Sequence, residues 1–273
     1  MKKIIAAILL PMLLIGFTFL PACKNRSAVK EKKAEELKQV EKVEDQIEVN
    51  VYEIPSSAEV IKMLTELEVG YIFGISNPVA NAKKYFSSTD RAINLGVFGA
   101  DLSYATLYNM EQQVRDYLDA IRAISNELNM SQIYKEELYD DMKKNFDNRD
   151  ELVRILTGTF NETYAYLSEN DQQVLALLVA GGAWVEGMYL TTHVSEAAYQ
   201  VAGISRVLIE QKQSFELFLE LTQPYNTDPS IAEFLRTLDP IKKVYEGLTT
   251  SLTEQNIKDI TGAISTIRAK IVQ

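Results

Sequence analysis

The sequence is poor in the residues that most often carry chemistry or covalent structure: its 273 residues include one Cys, one His and one Trp. A single thiol excludes an intrachain disulfide and any metal centre built from several Cys, so the fold rests on packing alone. A single imidazole excludes paired-His metal motifs and places any imidazole base catalysis on His193. Clustered positive charge is also lacking, since 28 Lys and Arg stand against 38 Asp and Glu, a net charge of −10. Phosphate backbones are bound by grouped cations that release counterions, so nucleic acid is excluded as a partner, and an anionic lipid surface repels the chain. Phosphate-cradling glycine loops and the serine-hydrolase elbow are missing as well.

What is present begins with an address. Met1-Lys2-Lys3 precedes an apolar run at 4–20 that only Pro11, Gly16 and Thr18 interrupt. A short basic start and a run of this length have the form of a secretory signal peptide, and crossing a bilayer asks for roughly 20 apolar residues. Leu20-Pro21-Ala22-Cys23 resembles the lipobox of bacterial lipoproteins, in which the Cys becomes the acylated first residue after cleavage. An ordinary signal peptide with a coincidental Cys is the alternative. More than one acyl chain anchors stably, because each buried methylene contributes ~0.8 kcal/mol. If the resemblance holds, Lys24 is not the Asp of inner-membrane retention, and 24–27 lack the acidic surface-export cluster. The resemblance therefore implies an outer-membrane, periplasm-facing lipoprotein.

The expected organisation is a signal peptide at 1–22, the lipidated Cys23 with a charged tether at 23–50, and an all-helical domain at 51–273. The tether alternates Lys with Glu and Asp and has no Gly, Pro or aromatic residue, which suits a solvated spacer. Leu37, Val40 and Ile47 sketch a weak heptad, so a coiled-coil contact is the other reading.

Beyond 51 the apolar spacing is three and four, and no strand-like alternation competes. The sequence predicts an all-α array or antiparallel bundle of about eight helices. Ser56-x-x-Glu59 opens a first helix that Gly70 closes, and Asn77-Pro78 opens a short second one reaching Phe86. A long helix is expected over 89–128, with Asp101 on its wetter face beside Asn94, Tyr108 and Arg115. Ser131, then Asn148 or Asp150, then Asn170-x-x-Gln173 open three more, the last continuing toward Lys212. Asp228-Pro229 starts a helix reaching about Tyr245, and Ser251-x-x-Glu254 caps the last, where Ile257, Ile260, Ile264, Ile267 and Ile271 recur. Ser87 to Gly99-Ala100 and Ser168 to Gly182-Ala183 read as either a two-fold repeat or chance helix vocabulary.

Two places draw functional readings. The stretch 174–185 is the most apolar of the body and holds Gly181, Gly182 and Trp184. Each helical Gly costs ~1 kcal/mol against Ala, so a close helix crossing, a kink or a ligand on bare backbone is expected there. Gly96 and Gly99 are the natural mates, with Tyr104 and Tyr189 completing a groove for a small apolar ligand or lipid. The second place is a stripe bearing Glu186, His193 and Glu196. It reads either as a polar stripe with His193 bonded to a carboxylate or Tyr, or as a polar site for acid/base or metal work. Neither cofactor nor metal is expected, because the third ligand of a catalytic metal has no motif here.

Ala92-Ile93-Asn94-Leu95-Gly96-Val97-Phe98-Gly99-Ala100-Asp101-Leu102-Ser103-Tyr104, taken with Lys24 after the lipidated Cys, resembles uncharacterised all-helical lipoproteins of Bacteroidota. That resemblance implies no activity and no functional residues. The functional expectation is a membrane-anchored interaction or scaffold module with an envelope protein partner. The alternatives are a binding module for a small apolar ligand or lipid, and an enzyme using His193 with Glu186 or Glu196.

Overall fold

In the computed structural model, the described residues are 70–194, 204–248 and 252–273. The expected signal peptide, Cys23, the expected tether, the helix expected after Ser56 and Glu196 lie outside them. The described body is all-α. After a 3-10 helix at Val79–Lys84 come α1 (Ser88–Leu107), α2 (Glu111–Glu127), α3 (Glu136–Lys144), α4 (Arg149–Glu169) and α5 (Gln173–Val194). Then follow α6 (Ile204–Thr222), a 3-10 turn at Gln223–Tyr225, α7 (Pro229–Thr237), α8 (Asp239–Glu246) and α9 (Glu254–Ile271).

Side-chain caps fix several of the starts. Ser87 accepts from the Asp90 N–H, Asn148 from the Glu151 N–H, and Asp228 from the Ser230 and Ile231 N–H groups ahead of Pro229. Each satisfies donors that the first helical turn leaves without partners. In four places local chemistry divides or shifts what apolar periodicity alone predicts. The expected 89–128 helix is two, because Asn109 turns left-handed (φ 53) and reverses the chain between α1 and α2. Asn170 closes α4 instead of opening α5, since Asp171 adopts φ 58 immediately after it. Leu238 splits the expected 229–245 helix ahead of Pro240, whose ring and missing N–H prevent continuation. The last helix is capped by the reciprocal pair Thr253 and Asn256, two positions past the expected box. Similarly, Ser131 lies in a turn and α3 begins only at Glu136, while the segment after Pro78 is 3-10 rather than α.

Helix α5 is the axis of the body. It is apolar all round and packs against α1, α4, α6, α7 and α9, as a helix without a polar face must. It is long and apolar enough to cross a membrane, yet two-thirds of that apolar stretch is buried inside the fold. Each side chain such as Leu178, fully buried there, contributes about 1.5–3 kcal/mol. Its tightest neighbour is α1. A Cβ added at Gly96 would stand 2.0 Å from the Val179 carbonyl oxygen, and one added at Gly182 would stand 2.0 Å from that of Ile93. Glycine is required at both, because backbone meets backbone there.

Candidate functional site

The helix crossing separates the predicted groove residues. Gly96 and Gly182 form the contact itself, and it is closed, with no room for a ligand between the two backbones. Gly181 faces the other way, against the rings of Phe234 and Phe218. Gly99 is not part of the crossing: a Cβ there would meet nothing within 4 Å. Trp184 stacks on Phe215 at 5.1 Å and donates to Gln211 Oε1 at 3.1 Å. Tyr104 stacks on Tyr71 at 4.8 Å and accepts from the Ile72 N–H at 3.0 Å.

The polar stripe of α5 does become a cluster, with partners that sequence reasoning did not supply. Glu186 is fully buried and accepts two hydrogen bonds from Arg268 of α9, at 2.9 and 3.0 Å. This forked geometry is the strongest that a guanidinium offers a carboxylate. Arg268 also donates to the Ile75 carbonyl at 3.2 Å, and its guanidinium lies 4.2 Å over the Tyr189 ring. Asp101 of α1 is the second carboxyl. It is fully buried rather than on a wet face, because residues 75–77 and α9 close over it. Its Oδ2 accepts from the Asn77 N–H at 3.1 Å, while its buried Oδ1 accepts no hydrogen bond.

Two carboxylates and one guanidinium would leave a net charge in an apolar interior, which is costly. Burial first, then the neighbouring Glu186, push the Asp101 carboxyl well above the usual carboxylate range. Glu186 is raised by burial too, but Arg268 opposes the shift. Of the two carboxyls, Asp101, which has no cation bonded to it, is the one that burial favours more strongly in its neutral form. Around this pair the amides form a frame. Asn77 donates to Tyr85 Oη at 3.0 Å, Asn81 donates to Asn77 Oδ1 at 2.7 Å, and Asn94 donates to the Ile271 carbonyl at 2.8 Å.

His193 stands apart from the carboxyls. Its Nδ1 donates to the Tyr189 carbonyl at 2.8 Å, its ring lies 3.9 Å from that of Tyr189, and Nε2 is 3.2 Å from Ser265 Oγ. The Ser265 hydroxyl donates to the Thr261 carbonyl at 2.7 Å, so its proton is engaged within α9. Among the described residues, no group of three or more His, Cys, Asp and Glu is placed to hold a metal ion.

A groove of about 630 Å³ lies between the 3-10 helix and α2. Val79 and Phe86 are exposed on one side, Phe86 by 79%, and Asp116, Asp119 and Glu127 are on the other. Arg91 bridges to Glu127 at 3.1 Å.

Arg268 and Asp101 were each detectable as a polar residue set into an apolar stripe. Arg268 is four positions after Ile264 and three before Ile271, and Asp101 is four after Val97 and three before Tyr104. The groove had no comparable signal, since an exposed Phe is visible only in the fold. No family model matches the chain, and neither a curated protein nor a solved structure matches it.

Proposed function

We propose that the protein is a lipid-anchored, periplasm-facing interaction module of the outer membrane, tethered through Cys23 and engaging an envelope protein through the groove beside Phe86. The lipobox-like Leu20-Pro21-Ala22-Cys23 and the following Lys24 support the anchor and its side. The resemblance to Bacteroidota lipoproteins supports the same setting.

The observation that carries the interaction reading is Phe86, a large ring 79% exposed at the edge of a formed groove. Exposed apolar surface rimmed by charge is characteristic of protein contacts, and aromatic rings are enriched at their centres. Such a groove suits an amphipathic segment whose apolar face covers Phe86, Val79, Ala120 and Ala123 while a basic residue meets Asp116 and Asp119. The polar cluster at Glu186 turns inward and serves the fold.

The test is a photo-crosslinking residue placed at position 86 of the anchored protein in cells, with a second placed at exposed Val153 as the control. The expected result is one discrete protein adduct from position 86, absent from position 153 and lost when Asp116 and Asp119 are both replaced by Lys. Identical adducts from both positions, or none from 86, would overturn the reading.

A further inference from the structure

Besides joining helices, the polar cluster holds down the segment that leads into the groove. Between Ile72 and Lys84 the buried residues are Ile75, Ser76 and Asn77, and only the first is apolar. Apolar burial, the usual source of local stability, is therefore limited there, and hydrogen bonds take its place. Asp101 accepts the Asn77 N–H at 3.1 Å, Arg268 donates to the Ile75 carbonyl at 3.2 Å, and Tyr104 Oη accepts the Ile72 N–H at 3.0 Å. Asn77 passes the restraint on: its side chain donates to Tyr85 Oη at 3.0 Å and accepts from Asn81 at 2.7 Å. Tyr85, Ala82 and Phe86 are walls of the groove, and the 3-10 helix between Asn77 and Tyr85 buries no residue of its own. Gly74, at φ 80, supplies a backbone pivot just ahead of Ile75.

Two carboxyls share one guanidinium beneath this segment. Asp101 has no solvent exposure, its Oδ1 accepts no hydrogen bond, and Ser76 Oγ beside it is buried without a partner. The groups facing Asp101 are Glu186 of α5, Arg268 of α9, Tyr117 of α2, Tyr71 and Ser76 of the segment, and Tyr85 after the 3-10 helix. Arg268 is the one cation among them, and it is already engaged by both oxygens of Glu186. Ionising Asp101 under a closed cover thus adds a charge with no cation of its own to a dry interior, whereas lifting the cover lets water solvate it. In agreement, burial and then Glu186 push its carboxyl well above the usual carboxylate range.

We infer that residues 72–78 are a strap over the Asp101–Glu186 pair that closes with uptake of one proton and, through Asn77, sets the wall of the groove. Its consequence for binding rests on the groove reading: the partner is held while the strap is closed and released as pH rises. The strap itself does not depend on that reading.

The test is amide exchange, followed by NMR between about pH 5 and 9 on the chain from residue 23 carrying Cys23→Ser. The N–H groups of Ile72 and Asn77 report on the strap, and those around Leu178 in α5 report on global unfolding. After correction for the intrinsic rate, protection at Ile72 and Asn77 is expected to stay below that around Leu178. It should fall about tenfold per pH unit, as one linked proton requires, for as long as the ¹³C shift of the Asp101 carboxyl shows the neutral form. In Asp101→Asn, which cannot ionise, protection of the strap is independent of pH. The carboxyl shift of the wild type is a second reading that needs no variant. Wild-type protection that does not change with pH, a slope that persists in Asp101→Asn, a carboxyl already ionised where the slope is seen, or strap N–H groups exchanging no faster than those around Leu178 overturns the inference. No partner is present in this measurement, so those outcomes leave the groove reading standing. An intact slope with no crosslinked adduct at position 86 at any pH sinks the groove reading alone.

Discussion

Arg268 grips Glu186 through both carboxylate oxygens across 82 positions of sequence, at 2.9 and 3.0 Å, and so ties the last helix to the central one. Glu186 has no solvent exposure and the Arg268 side chain only 13%, so water cannot replace either partner. Removing one partner of a buried pair leaves a charge stranded, whereas replacing both with apolar groups of similar volume is often tolerated. We predict that Arg268→Met lowers unfolding free energy by about 3–5 kcal/mol, read from urea denaturation at pH 8. The deficit shrinks at pH 5, because the stranded Glu186 then takes up a proton. Arg268→Met combined with Glu186→Leu recovers most of the loss. A single variant as stable as wild type at pH 8 would contradict this.

Asp101 gives the pair a pH dependence of defined sign. Its folded pKa is raised above the unfolded value, so between the two the native state holds a proton that the unfolded chain has released. Stability from this group is therefore complete at low pH and falls as pH rises through the folded value, by up to about 1.4 kcal/mol per pH unit. Asp101→Asn keeps the neutral shape and cannot ionise. Its stability relative to wild type should rise steadily with pH above the ordinary carboxylate range. Parallel stability curves for the two proteins would show that Asp101 is not protonated in the fold.

The helical glycines separate by what surrounds them. Gly96→Ala and Gly182→Ala each force a Cβ to 2.0 Å from a backbone oxygen, and should destabilise by at least about 1–3 kcal/mol. Gly99→Ala meets open space and should stabilise by about 0.5–1 kcal/mol. Thermal melts of the three variants check the order.

How much of this was legible in the sequence depends on how local each cause is. Asn148 and Asp228 act within one turn, so Asp228 could be read directly as a cap, Asn148 as one of two candidates with Asp150, and the all-α class from the spacing. The crossing was also legible at Gly96 and Gly182, since a glycine in a long apolar helix carries a cost that close packing explains. The break at Asn109 was not, because a single left-handed Asn interrupts a helix without any Gly or Pro to mark it. The periodicity of a single helix puts Asp101 on a wet face, whereas its burial comes from residues outside that helix, Asn77 among them. The partner of Glu186 was missed for the same reason.

Phe86 should matter to binding and not to folding. Because the ring is exposed, Phe86→Ala is expected to change stability by no more than about 0.5 kcal/mol. The same variant should reduce recovery of the partner identified by crosslinking at least tenfold in a co-purification from cells. A large drop in melting temperature would instead make Phe86 a structural residue.

The proposed lipid anchor is tested most directly by intact-mass analysis of the protein extracted from its own membranes. The expected result is an amino terminus at Cys23 carrying the mass of acyl groups, with the modification mapping to Cys23 and the protein leaving the membrane fraction on Cys23→Ser. An unmodified thiol at Cys23, or a chain still carrying residues 1–22, would contradict it.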